Sequence, residues 1–305
     1  MAGSERRDEI RHALESTRAQ LEATNARIEA RAGRNLVFAI TSGVVFGAVF
    51  LASLLLVKQL FVVLVAAIVA IALVELAAAF RVAGRRVSRV GAALGGVVVV
   101  GGAALWGPQG MLLGLFAGSL LLIVWRVIEG VARAGEVPAK TVVRDVFSGL
   151  FTLVYVAFLA SFTVLLVAAE NGQWWVFALV VVVVSVDVGA YAAGVTLGKH
   201  KMTPRISPNK TWEGFAGAAV VAAGVGVLVS VFTLDQPWWV GIILGVVVLF
   251  TATGGDLTES LIKRNLGVKD MSSWIPGHGG FLDRLDSILP SAVGVYGVAL
   301  IAGVV

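Results

Sequence analysis

Apolar runs of 17–25 residues recur along most of the chain, separated by connections that are either very short or rich in charge. In a helix, each run is long enough to cross roughly 30 Å of hydrocarbon. The runs are continuously apolar and do not alternate with a period of two, which argues for helices and against a β-barrel. Nine spans are expected, at about 35–57, 60–80, 90–106, 110–125, 146–168, 174–197, 214–234, 238–262 and 287–305. The third and fourth are short and Gly-rich. The expected fold class is therefore all-α, a polytopic integral membrane protein with about nine transmembrane helices.

The connections fall into two sets. Lys58-Gln59, Gly107 to Gln109, Glu170 to Gln173 and Asp235 to Pro237 are very short. The segments 81–89, 126–145, 198–213 and 263–286 are long and basic, as is the N-terminal segment. The N-terminal segment carries seven Lys and Arg and each long loop four, so 23 of the 24 fall on one side and only Lys58 on the other. The positive-inside rule makes that side cytoplasmic, with the N-terminus inside and the C-terminus outside.

Composition agrees. The 305 residues are 58% hydrophobic and only 14% charged, against about a quarter in ordinary soluble domains. Cysteine is absent, which removes disulfide and thiolate chemistry. The net charge of +5 is accounted for by topology, so no nucleic-acid partner is expected. A basic inner face also suits an anionic lipid or a nucleotide. The first 34 residues are polar and do not read as a signal peptide. Within them, residues 5–32 carry a weak heptad of Leu14, Leu21 and Ile28. This predicts a short coiled coil or a helix lying on the membrane surface. Three regions result: a charged cytoplasmic helical leader (1–34), N-terminal transmembrane helices (35–145) and a C-terminal catalytic transmembrane domain (146–305) with cytoplasmic loops 198–213 and 263–286.

Candidate chemistry concentrates in 256–286, where four Asp, one Glu, Lys, Arg and His278 gather between two apolar spans. If the eighth helix continues, Asp256, Ser260 and Lys263 share one face at i, i+4 and i+7. An acid, a hydroxyl and a cation at the mouth of a span suit a metal and a phosphate ester. Pro276-Gly277-His278-Gly279-Gly280 must be a loop whose backbone N–H groups can approach a phosphate, with His278 as a further donor. Asp283 and Asp286, at i and i+3, suit a hard divalent cation. In the loop 198–214, Ser207-Pro208 resembles a helix N-cap, which would put Lys210 in a first helical turn suited to phosphate. Asp187 lies inside the sixth span, a functional-site signal in itself. Glu75 raises the same question in the second span, with a helix-packing or dimer-contact role expected.

Ser260-Leu-Ile-Lys263-Arg264, then Lys269-Asp270, then Ile275-Pro276-Gly-His278-Gly279-Gly280-Phe281-Leu-Asp283-Arg284-Leu-Asp286 resembles the signature of the phosphatidate cytidylyltransferases, or CDP-diacylglycerol synthases. The resemblance extends to Asp187-Val-Gly-Ala-Tyr191 and to Ser207-Pro208-Asn209-Lys210-Thr211-Trp212-Glu213-Gly214, and it covers the C-terminal half well. It implies that CTP and phosphatidic acid give CDP-diacylglycerol and pyrophosphate. It also implies Mg²⁺ as cofactor, held by Asp256 and Asp283, and leaves open a second cation and a homodimer. Asp256, Lys263 and Asp283 are then the expected catalytic residues. Ser207, Lys210, Ser260, Arg264, Lys269, His278 and Arg284 are the expected substrate contacts, with Asp187, Glu213, Asp270 and Asp286 in support. The expected location is the cell (inner) membrane, with the site facing the cytoplasm. The competing readings are a CTP-dependent polyprenol or lipid kinase, which would release CDP, and a transporter using Asp187 and Glu75.

Overall fold

The computed structural model describes residues 36–132, 137–272 and 280–305, with side chains from Gly43 onward. The leader helix expected over 5–32 and His278 lie outside these residues. The helices are α1 (Leu36–Leu56), α2 (Lys58–Val82), α3 (Arg89–Val131), α4 (Ala139–Thr152), α5 (Leu159–Ala168), α6 (Gly172–Leu197), α7 (Trp212–Phe232), α8 (Trp238–Leu266), α9 (Leu282–Leu285) and α10 (Ile288–Ile301). A π turn, Leu153–Phe158, joins α4 to α5, so 139–168 forms one rod. Among the described residues, seven helical segments are long and apolar enough to cross a membrane. This is the architecture of a polytopic membrane protein.

One of the seven, α3, is a hairpin. Trp106 and Gly107 leave the helical region, and Gly107 has φ +61°, which favours glycine. Pro108 then starts the second arm, where its missing N–H costs nothing. The arms meet backbone to backbone. A methyl group on Gly102 would run into the carbonyl of Gly110, and one on Gly114 would lie 2.7 Å from the carbonyl of Val98. Gly110, Gly114 and Gly118 thus form a small-residue ridge of the kind that lets membrane helices approach closely. The two arms correspond to the spans expected at 90–106 and 110–125.

Two ends differ from expectation. The expected loop 126–145 is largely helical, because α3 runs to Val131 and α4 starts at Ala139. The reason is a buried ion pair: Arg126 Nε and Nη2 donate to Asp145 Oδ2 at 3.0 and 2.7 Å. Charges matched in this way do not have to leave the packed interior. The segment expected to start a helix at Ser207-Pro208 instead forms a two-stranded antiparallel hairpin, β1 (Lys201–Thr203) with β2 (Ser207–Thr211). Pro204 and Arg205 turn the chain, closed by Ile206 N–H donating to the Thr203 carbonyl at 3.2 Å. The helix starts later, at Trp212, with Thr211 as N-cap accepting from Gly214 N–H at 3.1 Å. Lys210 therefore sits on a strand and not in a helical turn.

The interior has two apolar clusters. One joins α2, α3 and the 139–168 rod around Leu73, Leu76, Val99 and Val156. The other joins α6, α7, α8 and α10 around Trp175, Leu179, Leu244 and Val295. Phe116, Val220, Phe232 and Phe250 lie exposed, as surfaces facing hydrocarbon do. The polar end of α8 lies where the two halves meet.

Candidate active site

Helix α8 continues without a break to Leu266 and ends on Gly267, whose φ of +71° is the left-handed stop that glycine permits. Asp256, Ser260 and Lys263 accordingly share a face. Ser260 Oγ lies 3.4 Å from Asp256 Oδ1. Lys263 is drawn elsewhere: its Nζ donates to Glu259 Oε2 at 2.7 Å and to Asp283 Oδ1 at 3.0 Å. Glu259 is 0% exposed, and Lys263 supplies a donor that a buried carboxyl needs. The sequence reading passed over Glu259, although its i, i+4 spacing to Lys263 was the available signal.

Asp283, in the single turn α9, is held on several sides. Besides Lys263, it accepts from the backbone N–H of Gly280 at 2.8 Å and of Met271 at 3.1 Å. It therefore ties the end of the signature loop to α8. The loop is also anchored from the other half of the molecule. Glu75, on α2 and 1% exposed, accepts from Ser272 Oγ at 2.5 Å, Phe281 N–H at 3.1 Å and Leu282 N–H at 2.9 Å. Glu75, for which a helix-packing or dimer-contact role is expected, thus faces the signature inside its own chain. Gly280 makes room for this: a methyl group there would lie 2.8 Å from Glu75 Oε2.

The β hairpin delivers Lys210 to the same place. Its Nζ lies 2.5 Å from Asp256 Oδ2. Asp187, on α6, has Asp256 and Lys210 as its charged neighbours, so it joins the site from the side. Asp286 also feels the charge of Asp256 and accepts from Ser287 N–H at 2.7 Å. The close approach of α8 to this turn depends on Gly255, where any side chain would meet the carbonyl of Asp286.

The remaining expected residues divide. Arg264 is exposed on the last turn of α8, and Lys269 and Asp270 are exposed just beyond it. Ser207 is half-buried on β2. Glu213 turns away from the cluster, accepting from the N–H groups of Lys199 and His200, each at 3.1 Å, and meeting His200 Nδ1 at 2.6 Å. It fixes the hairpin that carries Lys210. Arg284 lines an apolar cavity of about 380 Å³ together with Phe46, Gly47, Phe61, Val65 and Phe281. Phe46 on α1 meets Phe281 edge to face, with centroids 5.6 Å apart.

The site therefore sets carboxylates against two lysines at one end of the helices, beside an apolar cavity. Among the described residues, no three carboxylate or imidazole groups form a preformed metal cage. Asp256 and Asp286 are electrostatic neighbours, and two carboxylates are the usual protein share for Mg²⁺, whose other ligands are phosphate and water. The donor chemistry fits such an ion.

Residues 37–302 match the model of the Cytidylyltransferase family. The chain belongs to this family. It is similar to the phosphatidate cytidylyltransferase of Mycobacterium bovis, 39% identical over 272 residues that span 88% of this chain and 89% of that protein. It is likewise similar to the phosphatidate cytidylyltransferase of Mycobacterium leprae, 40% identical over 272 residues, 86% of this chain and 87% of that one. With the Bacillus subtilis protein of the same name it shares 46% identity over 124 residues, 39% of this chain and 45% of that one. As a cytidylyltransferase, the chain has a site that must bring a nucleoside triphosphate to its acceptor.

Proposed function

We propose that the protein is a phosphatidate cytidylyltransferase that makes CDP-diacylglycerol and pyrophosphate from CTP and phosphatidic acid. The observation that carries this reading is the Lys210–Asp256 and Lys263–Glu259–Asp283 ion-pair cluster, set beside an apolar cavity that Arg284 lines. A polar substrate and a lipid can meet only at such a boundary.

A phosphate oxygen of the lipid attacks the α-phosphorus of CTP, and the bond to the β-phosphate breaks. No general base is required, because a phosphate monoester is largely dianionic near neutral pH. Two anions must approach each other, so the first task of the protein is to lower their repulsion. Lys210 and Lys263 are the nearest cations to the carboxylates, and each exchanges part of its present ion pair for phosphate oxygens. Arg264, Lys269, Ser207, Ser260 and His278 extend the polar surface for CTP, and Arg284 faces the lipid phosphate. The apolar cavity receives the acyl region.

A Mg²⁺ ion held here would supply positive charge against that of the departing pyrophosphate. Asp256 is its first protein ligand in this reading. Asp283 becomes the second only by giving up Lys263, whereas Asp286 already neighbours Asp256 and is the better placed of the two. Asp187 supports Asp256 and Lys210 from α6. The two arms of α3 each count as a crossing, which with α1 gives nine. The charge asymmetry supports a site on the cytoplasmic face of the cell membrane.

The test is an assay of the purified full chain with CTP, phosphatidic acid and Mg²⁺. Pyrophosphate and CDP-diacylglycerol should form together, in equal amounts. Release of CDP with a newly phosphorylated lipid would show a lipid kinase instead.

A further inference from the structure

The apolar cavity runs away from the polar cluster and ends on packed aromatic rings. Phe281 and Arg284 line its top, beside the ion pairs. Among the described residues that line it, only Arg284 and Thr163 are polar. Thr163 Oγ1 donates to the Ala160 carbonyl at 2.7 Å, so below Arg284 the wall offers hydrocarbon. Two helices give the depth. Val176 is the first residue of α6 to line the cavity, and it lies eleven residues before Asp187, about 16 Å along the axis. Phe61 is the first residue of α2 to line it, and it lies fourteen residues before Glu75, about 21 Å.

Helix α1 supplies one side. Gly43, Phe46, Gly47 and Phe50 line the cavity at the three- and four-residue spacing of a single helix face. A Cβ at Gly43 or Gly47 would meet nothing within 4 Å, so the two glycines leave the width open. Phe46 meets Phe281 near the top. Phe50, one turn deeper, meets Phe61 edge to face, with centroids 5.6 Å apart. Phe61 is 1% exposed and belongs to a buried cluster with Leu54, Leu166, Trp175 and Val176. That cluster closes the end of the cavity farthest from Arg284.

We propose that Phe50 and Phe61 determine which lipids the site accepts: their ring pair is the floor on which the end of one acyl chain stops, and it sets the longest chain that fits. This rests on the phosphatidate reading above. A cavity of about 380 Å³ is the size of a single-ligand pocket, so it takes one of the two chains and leaves the other in the bilayer. A chain that ends short of the floor fits without strain. A longer one must press methylenes into a packed cluster, and overpacking of that kind weakens binding about fivefold to a hundredfold.

The test measures kcat/KM of the full chain for dilauroyl, dipalmitoyl, distearoyl and diarachidoyl phosphatidic acid in the same mixed micelles, with CTP and Mg²⁺. Wild type should fall off beyond one chain length. Phe61→Ala lowers the floor and should move the fall-off to longer chains, raising the ratio of the longest to the shortest lipid about fivefold or more. Phe50→Ala, at a half-buried position, should do the same at less risk to folding. Val180→Phe, one turn above Val176 in the same wall, should lower that ratio. Damage to the fold alone lowers all four lipids together and leaves the ratio in place, and melting temperatures show which variants are folded. A flat wild-type profile overturns the proposal, as does an unchanged ratio in folded variants or a shift in the same direction for the Ala and Phe variants. If neither Ala variant folds, Val180→Phe decides alone. An active wild type with unmoved profiles in the variants overturns this inference only. A wild type that makes no CDP-diacylglycerol from any of the four lipids overturns the phosphatidate reading, and this inference with it.

Discussion

Glu75 Oε2 accepts a hydrogen bond from the backbone N–H of Leu282 at 2.9 Å, joining α2 to the end of the signature loop across 207 positions of sequence. The N-terminal half is thus part of the site's scaffold as well as its membrane anchor. Glu75→Gln replaces one carboxylate oxygen with an N–H donor, while three donors already converge on that carboxylate. One donor must then face another. The expected cost is on the order of 3 kcal/mol, seen as a lower melting temperature, with activity falling alongside it. Unchanged stability and activity would show that the contact does not organise the loop.

Lys263 has two carboxylate partners, and one of them is fully buried. Lys263→Met leaves the buried Glu259 carboxyl and Asp283 without their shared donor, which costs about 1–3 kcal/mol. Adding Glu259→Gln supplies a neutral group with its own N–H donors, so the double variant should recover part of the lost thermal stability while staying inactive. Stability and activity would then separate cleanly. Recovery of both would rule out a direct role for Lys263 with the phosphates.

The three aspartates should differ in their response to Mg²⁺. Asp256→Asn and Asp286→Asn are expected to raise the Mg²⁺ concentration for half-maximal activity by tenfold or more, on the order of 1.4 kcal/mol or above. Asp283→Asn should chiefly lower stability, because its oxygens serve Lys263, Gly280 and Met271. A Mg²⁺ titration of each variant decides the matter. A large Mg²⁺ shift for Asp283→Asn alone would return the second ligand position to Asp283.

The cavity offers a different handle. A Cβ added at Gly47 meets nothing within 4 Å, and Gly47 lines the apolar space beside Phe281 and Arg284. Gly47→Leu should therefore fill part of the cavity without straining the helix. Activity on long-chain phosphatidic acid should fall several-fold relative to activity on a short-chain form, since each buried methylene contributes about 0.8 kcal/mol. Equal effects on both lipids would detach the cavity from lipid binding.

Much of this was legible because helices have a fixed period. Asp256, Ser260 and Lys263 fall on one face by spacing alone, and the apolar runs located the helices to within a few residues, the ion-paired end of α3 and start of α4 excepted. The hairpin of α3 was visible as two Gly-rich spans around Gly107-Pro108. The site's long-range contacts were not legible in this way. Glu75 has partners roughly 200 positions away, and nothing around it in sequence points to them. Ser207-Pro208 has the composition of a helix start, yet Pro204-Arg205 turns the chain into a hairpin and leaves capping to Thr211. A π turn leaves no mark in a sequence without Pro or Gly, so the one at Leu153–Phe158 was not legible either.

The central claim is that the nucleotide's α-phosphorus goes to the lipid. CTP labelled at the α-phosphate or at the γ-phosphate, incubated with phosphatidic acid, Mg²⁺ and the purified protein, tests it directly. Cytidylyl transfer puts the α label in the lipid product and the γ label in pyrophosphate. Lipid carrying the γ label, with the α label left in CDP, would contradict it.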